Sequence, residues 1–225
     1  MSPRSFSSVT TSHRRRGVPA GTAGTADNGE ADCPETGVRK MARIDEASWT
    51  RSLLDLFGEG MFAAVGARRH GDWRCDALDV MRLATADPRG WPRRVCAPGG
   101  GVYPPGPDGP FGAVVPADVA RVFPVSRRGA EQIVVTLQGD WFRTDDIPDF
   151  SAGEAGSLSR AHEVLGRFGE DALFFTNAVS ARSDPHADMF RREGAYEGFT
   201  GHVMDCGVIA LSAAEVGVFW GFTPD

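Results

Sequence analysis

The stretch Cys206-Gly-Val-Ile-Ala-Leu-Ser-Ala-Ala-Glu-Val-Gly-Val-Phe-Trp-Gly-Phe222 consists of two short apolar runs on either side of Ser212-Ala-Ala-Glu215. It reads as a β-hairpin. In the second run Val216, Val218, Trp220 and Phe222 fall on one face of an extended chain, and Gly217, Phe219 and Gly221 fall on the other. Neither face is polar, so the pair is expected to lie inside a sheet and to be covered on both sides. Helices must supply at least one of those covers.

Working outward, Asp171 to Thr176 carries Leu173-Phe-Phe175 and reads as a further buried strand. Gln132-Ile-Val-Val-Thr-Leu-Gln138 is β-branched and nearly apolar. It predicts a central strand, with Gly139-Asp140 as a turn and Trp141-Phe142-Arg143 restarting an extended segment. Ala113-Val-Val115 is a candidate short strand, followed by a short helix over Pro116 to Phe123 with proline in its first turn.

Glu46 to Phe57 places Trp49, Leu53, Leu56 and Phe57 on one helical face, and Met61, Phe62 and Val65 are expected to add another turn. Trp73 to Ala86 fits a helix through Ala77, Val80, Met81 and Ala84. Ser157 to Phe168 fits another through Leu158, Ala161, Leu165 and Phe168, after a polar loop over Asp145 to Gly156. Asp184-Pro185 has the form of an N-cap and first-turn proline for a short helix that ends at Gly194. Asp87 to Pro110, with Gly99-Gly-Gly101 and Pro104-Pro-Gly-Pro-Asp-Gly-Pro110, predicts a long surface loop.

Helices come first, then strands mixed with helices, then a hairpin. That order lacks the regular alternation of a doubly wound sheet. The expected class is α+β: a single domain over 43–225 with a largely antiparallel sheet closed by the C-terminal hairpin and covered by amphipathic helices. Residues 1–42 are rich in Ser, Thr, Gly and Ala, carry Arg14-Arg-Arg16 and show no periodic hydrophobes, so they are expected to form a disordered tail.

The chain has 225 residues, 41% of them hydrophobic and 24% charged, which suits one globular core plus a tail. A formal charge of −6 argues against nucleic acid, because phosphate affinity requires clustered cations. No apolar run reaches the length of a membrane span, and the first residues lack the apolar core of a signal peptide. Cys33, Cys75, Cys96 and Cys206 form no C-x-x-C pair, so reduced thiols in a cytoplasm are expected rather than a zinc knuckle or disulfide scaffold. The glycine triplet lacks the Lys-Ser/Thr of a phosphate loop and the strand–helix context of a dinucleotide site. No cofactor is expected.

Two groups of residues are candidates for function. His186, Asp188, His202 and Asp205 hold the side-chain types of a two-histidine, one-carboxylate metal site. Asp184 as an N-cap and Asp188 in the first turn of a helix account for two of the acids without a metal, and positions i and i+2 of a helix do not share a face. No metal is therefore expected. Trp141, Arg143, Asp145 and Asp146 combine an aromatic, an arginine and paired acids, a composition enriched at protein interfaces.

The reading that follows is a non-catalytic domain that binds another protein through Trp141, Arg143, Asp145 and Asp146. In class and composition it resembles small acidic bacterial proteins that neutralise toxins, although no diagnostic motif carries that likeness; a regulatory partner is the related reading. The alternative is a small enzyme with a pocket under the loop Ala97 to Pro110, using His186, Asp188 and His202. It would depend on those three side chains converging.

Overall fold

The computed structural model describes residues 44–191 and 195–223. The tail expected over 1–42 lies outside the described residues. The two apolar runs pair as strands β5 (Asp205–Leu211) and β6 (Glu215–Phe222), in a register from Asp205↔Phe222 to Leu211↔Val216. Ser212 closes the hairpin, its Oγ accepting hydrogen bonds from the N–H groups of Ala214 (3.2 Å) and Glu215 (2.9 Å). Every residue of both strands is buried.

The reason is position in the sheet. Strand β1 (Met61–Ala67) pairs with β6, and β2 (Arg94–Cys96) pairs with β1; β4 (Leu173–Thr176) pairs with β5, and β3 (Phe123–Val125) pairs with β4. All pairs are antiparallel and the order is β2-β1-β6-β5-β4-β3. The hairpin lies at the centre of an open sheet and does not close one into a barrel. The α+β class stands, with helices on both faces.

On one face Met61, Ala63, Val65, Phe174, Cys206, Val208, Ala210 and Phe219 pack against helices α1 (Glu46–Leu56), α4 (Arg127–Thr136) and α5 (Phe150–Gly166). On the other, Phe62, Ala64, Ile209, Val216, Val218 and Trp220 pack against α2 (Trp73–Met81) and α3 (Pro116–Val119) together with Tyr103 and Phe111. Fully burying one such large apolar side chain stabilises by roughly 1.5–3 kcal/mol, so the two faces together supply most of the driving force. Two strand glycines make room for rings. A Cβ on Gly207 would lie 2.3 Å from the Trp220 ring, and one on Gly217 would lie 2.4 Å from Phe168.

Several local expectations give way. Gln132–Gln138 is no strand: Ile133, Val134 and Val135 belong to α4, which Ser126 caps by accepting from the Gly129 N–H at 3.2 Å. An unbroken apolar run fits a buried helix as well as a buried strand. The hydroxyl of Thr136 donates to the Ile133 carbonyl at 2.8 Å, a satisfaction the helix itself provides. Trp141–Arg143 is accordingly a tight turn, not an extended segment. Met61, Phe62 and Val65 extend no helix but form β1, whose consecutive residues face opposite layers.

Ala113–Val115 forms no strand, α3 stops at Val119, and Phe123 begins β3. Helix α5 starts at Phe150, inside the segment expected to be a loop. A four-residue helix α6 (Ser180–Ser183) precedes Asp184, and the described residues after it form turns in place of the expected helix. The side chain of Asp184 accepts from the His186 N–H at 2.8 Å, closing a local turn rather than capping a helix. The long loop contributes β2 and buries Tyr103 against the sheet, and Phe111, which follows it, lies edge-on to Phe62 (5.2 Å) and Phe222 (5.3 Å). Tyr103 in turn stands edge-on to Phe222 (5.3 Å) beneath the loop.

Candidate functional site

Helix α4 ends over Leu137, and the chain turns sharply through Gly139-Asp140-Trp141-Phe142. Gly139 is required there because a Cβ would sit 2.1 Å from the Arg143 carbonyl oxygen. Trp141 and Phe142 both adopt left-handed backbone, at φ 55° and 56°. For non-glycine residues that conformation costs on the order of 1 kcal/mol each and requires surrounding structure to hold it. Phe142 provides the hold: it is buried, lies edge-on to Tyr196 at 5.6 Å, and occupies the space above Gly221, where a Cβ would meet its ring at 2.8 Å. Trp141 is thereby pushed outward and remains 51% exposed.

A cleft opens on each side of this indole. The first, of about 570 Å³, is lined by Trp141, Arg143, Asp145, Phe190, Arg191 and Tyr196 among others. The second, of about 360 Å³, has Leu137, Phe142 and Phe222 among its apolar lining residues and carries Glu59 and Asp140. Three of the four residues expected to bind, Trp141, Arg143 and Asp145, thus share one cleft. Asp146 is exposed beside it without lining it. Arg143 and Asp145 approach to 3.3 Å with both side chains largely exposed, a pairing weak enough for a partner to reorganise.

The other candidate group is not brought together. Asp188 accepts from Gln132 Nε2 (2.8 Å) and from the Phe190 N–H (3.1 Å), which ties the turn to α4 on one face of the sheet. His202 packs against Phe222 (4.9 Å) and Tyr103 (6.5 Å), on the opposite face. His186 is exposed. Asp205 is buried and accepts from Trp220 Nε1 (3.0 Å), the Phe199 N–H (2.9 Å), the N–H and hydroxyl of Thr200 (2.8 and 2.7 Å) and Asn177 Nδ2 (3.3 Å). These five donors fix the carboxylate between the hairpin and the segment Phe199–Thr200. Among the described residues no group of three or more His, Cys, Asp and Glu side chains is placed to hold a metal ion.

Two further polar sites escaped the sequence reading. Arg167, with its side chain fully buried, forms a bidentate pair with Asp87 (2.7 and 2.8 Å) and contacts Glu215 at 3.0 and 3.2 Å. Arg89 forks onto the same Glu215 at 2.8 and 2.9 Å. The Arg167 guanidinium also stands over the rings of Trp91 (4.7 Å) and Trp49 (5.1 Å). Burial alone would pull the Arg167 pKa down, but the hydrogen bonds to Asp87 and then Glu215 outweigh it and hold the pKa above its ordinary value. The signal in the sequence is slight: an arginine between Leu165 and Phe168, at the end of an apolar helix face.

The second site pairs His70 Nδ1 with buried Asp76 at 2.8 Å. Burial pushes the Asp76 pKa up, yet the Arg69 N–H, the His70 ring and the His70 N–H together carry it below its ordinary value. The His70 ring also stands 3.9 Å from Asp79. No described helix is long and apolar enough to cross a membrane. Compared with known proteins, the chain matches no family model, no curated protein and no solved structure.

Proposed function

We propose that the protein is a non-catalytic binding domain that recognises a protein partner through the turn from Asp140 to Asp146. The exposed Trp141 supports this most directly: two left-handed residues and a buried Phe142 hold a large indole out between two clefts. Tryptophan and arginine dominate the binding energy of protein interfaces, and an indole immobilised beforehand loses little entropy when it docks. The turn also stands apart from buried Asp205, whose carboxylate already accepts from Phe199, Thr200 and Trp220.

The test is affinity capture from the source cell with the wild-type chain and with Trp141→Ala/Arg143→Ala. Both side chains are exposed, so the unfolding free energy is expected to change by no more than ordinary surface substitutions cause, about 0.5 kcal/mol. Loss of the captured protein in the double variant is the expected result. Undiminished capture would remove this turn from the interface.

A further inference from the structure

We infer that the cleft between Leu137, Trp141 and Phe222 receives an arginine side chain from the partner, an assignment that rests on the binding role of the Trp141 turn. The two clefts beside the indole differ in charge. The first carries Arg143 and Arg191 with a single carboxylate, Asp145; the second carries Glu59 and Asp140 and no basic residue. Among the described residues no arginine or histidine stands within ion-pair distance of either Glu59 or Asp140. Glu59 is held in place by the Gly99 N–H, which donates to its Oε2 at 3.2 Å.

An apolar lining with two carboxylates and an indole at its edge matches one kind of side chain closely: an aliphatic stem ending in a planar cation that accepts both ring stacking and bidentate hydrogen bonding. The protein already contains a filled version of this arrangement. Arg167 lies between the carboxylates of Asp87 and Glu215 and against the indoles of Trp91 and Trp49. The Trp141 cleft has the same components, two carboxylates and an indole, with the guanidinium left to come from elsewhere. A chain of formal charge −6 also favours encounter with a basic segment. The cleft of about 360 Å³ leaves ample room for one such side chain.

The test titrates the full chain with N-acetyl-arginine methylamide and with its leucine and glutamate analogues, following the Trp141 indole N–H resonance, assigned by its disappearance in Trp141→Ala. The expected result is a saturable shift with the arginine compound alone, with affinity falling about 2–5-fold in Glu59→Gln and again in Asp140→Asn. Equal binding of the leucine compound, or arginine binding indifferent to both substitutions, would overturn the assignment. Self-association in sedimentation velocity that disappears in Trp141→Ala would give the cleft to a second copy and overturn it too. The failures are separable: capture lost in Trp141→Ala/Arg143→Ala but untouched in Glu59→Gln/Asp140→Asn overturns the arginine alone, whereas capture untouched by either pair overturns the binding turn itself.

Discussion

The central hairpin is anchored at its two ends by opposite means. At the turn end Glu215 pairs with Arg89 and Arg167, and Arg167 pairs with Asp87 as well, two carboxylates matched by two guanidiniums in a network that is buried except at Arg89 and is backed by indoles. At the open end Asp205 is equally buried, and among the described residues no cation pairs with it; neutral N–H and O–H dipoles from Trp220, Phe199, Thr200 and Asn177 surround it. The difference lies in what happens when one member is lost. A compensated ion network fails by leaving unpaired charge in the interior, whereas a dipole cage fails by leaving neutral donors unmet, which costs less.

Arg167→Ala should therefore be the most damaging single change. It strands Asp87 and, in part, Glu215, and a cost of about 3–5 kcal/mol is expected in urea unfolding at neutral pH. Asp205→Ala should cost less, about 2–3 kcal/mol, since its donors are uncharged and water can reach some of them. A larger loss in Asp205→Ala than in Arg167→Ala would break the ranking of the two anchors.

Asp76 falls between the two, because its Oδ1 accepts from two backbone N–H groups and the imidazole of His70 while Arg68 Nε stands 3.8 Å from its Oδ2. Its pKa in the folded protein lies below the ordinary range of an aspartate, so the folded state binds fewer protons at this site than the unfolded chain does. The stability it contributes is complete above the unfolded pKa and is lost as pH falls through the folded one. Asp76→Asn should thus destabilise by about 1–2 kcal/mol at pH 7. The gap from wild type should narrow as acid unfolding is followed below pH 3.8, and a gap that stays constant would show that the ionised form contributes nothing.

The residues of the hairpin reveal its place because apolar side chains at every position of two adjoining runs leave it nowhere to sit but inside a sheet. Helix α4 is less legible. Ile133-Val-Val135 carries no period of its own, and the cap at Ser126 lies upstream of the apolar run that suggested a strand. The candidate site is legible in part. Trp141, Arg143 and Asp145 stand out by residue type, but the exposure of Trp141 depends on a left-handed turn and on a phenylalanine seated over Gly221. His186 and His202 are near in sequence and unrelated in space, because the sheet passes between the layers that hold Asp188 and His202.

Local residue patterns alone determine the amphipathic faces of α1 and α5 and the two-faced burial of the hairpin. Those patterns repeat within a few residues and follow from where successive side chains point. Tertiary structure alone decides which charges go inside and where the indole of Trp141 is shown. Arg167 is tolerable in the interior only because Asp87, 80 positions away, and Glu215, 48 positions away, arrive beside it. A buried charge is stabilised by its partner and not by its neighbours in the chain, so no window of sequence contains the information that places it.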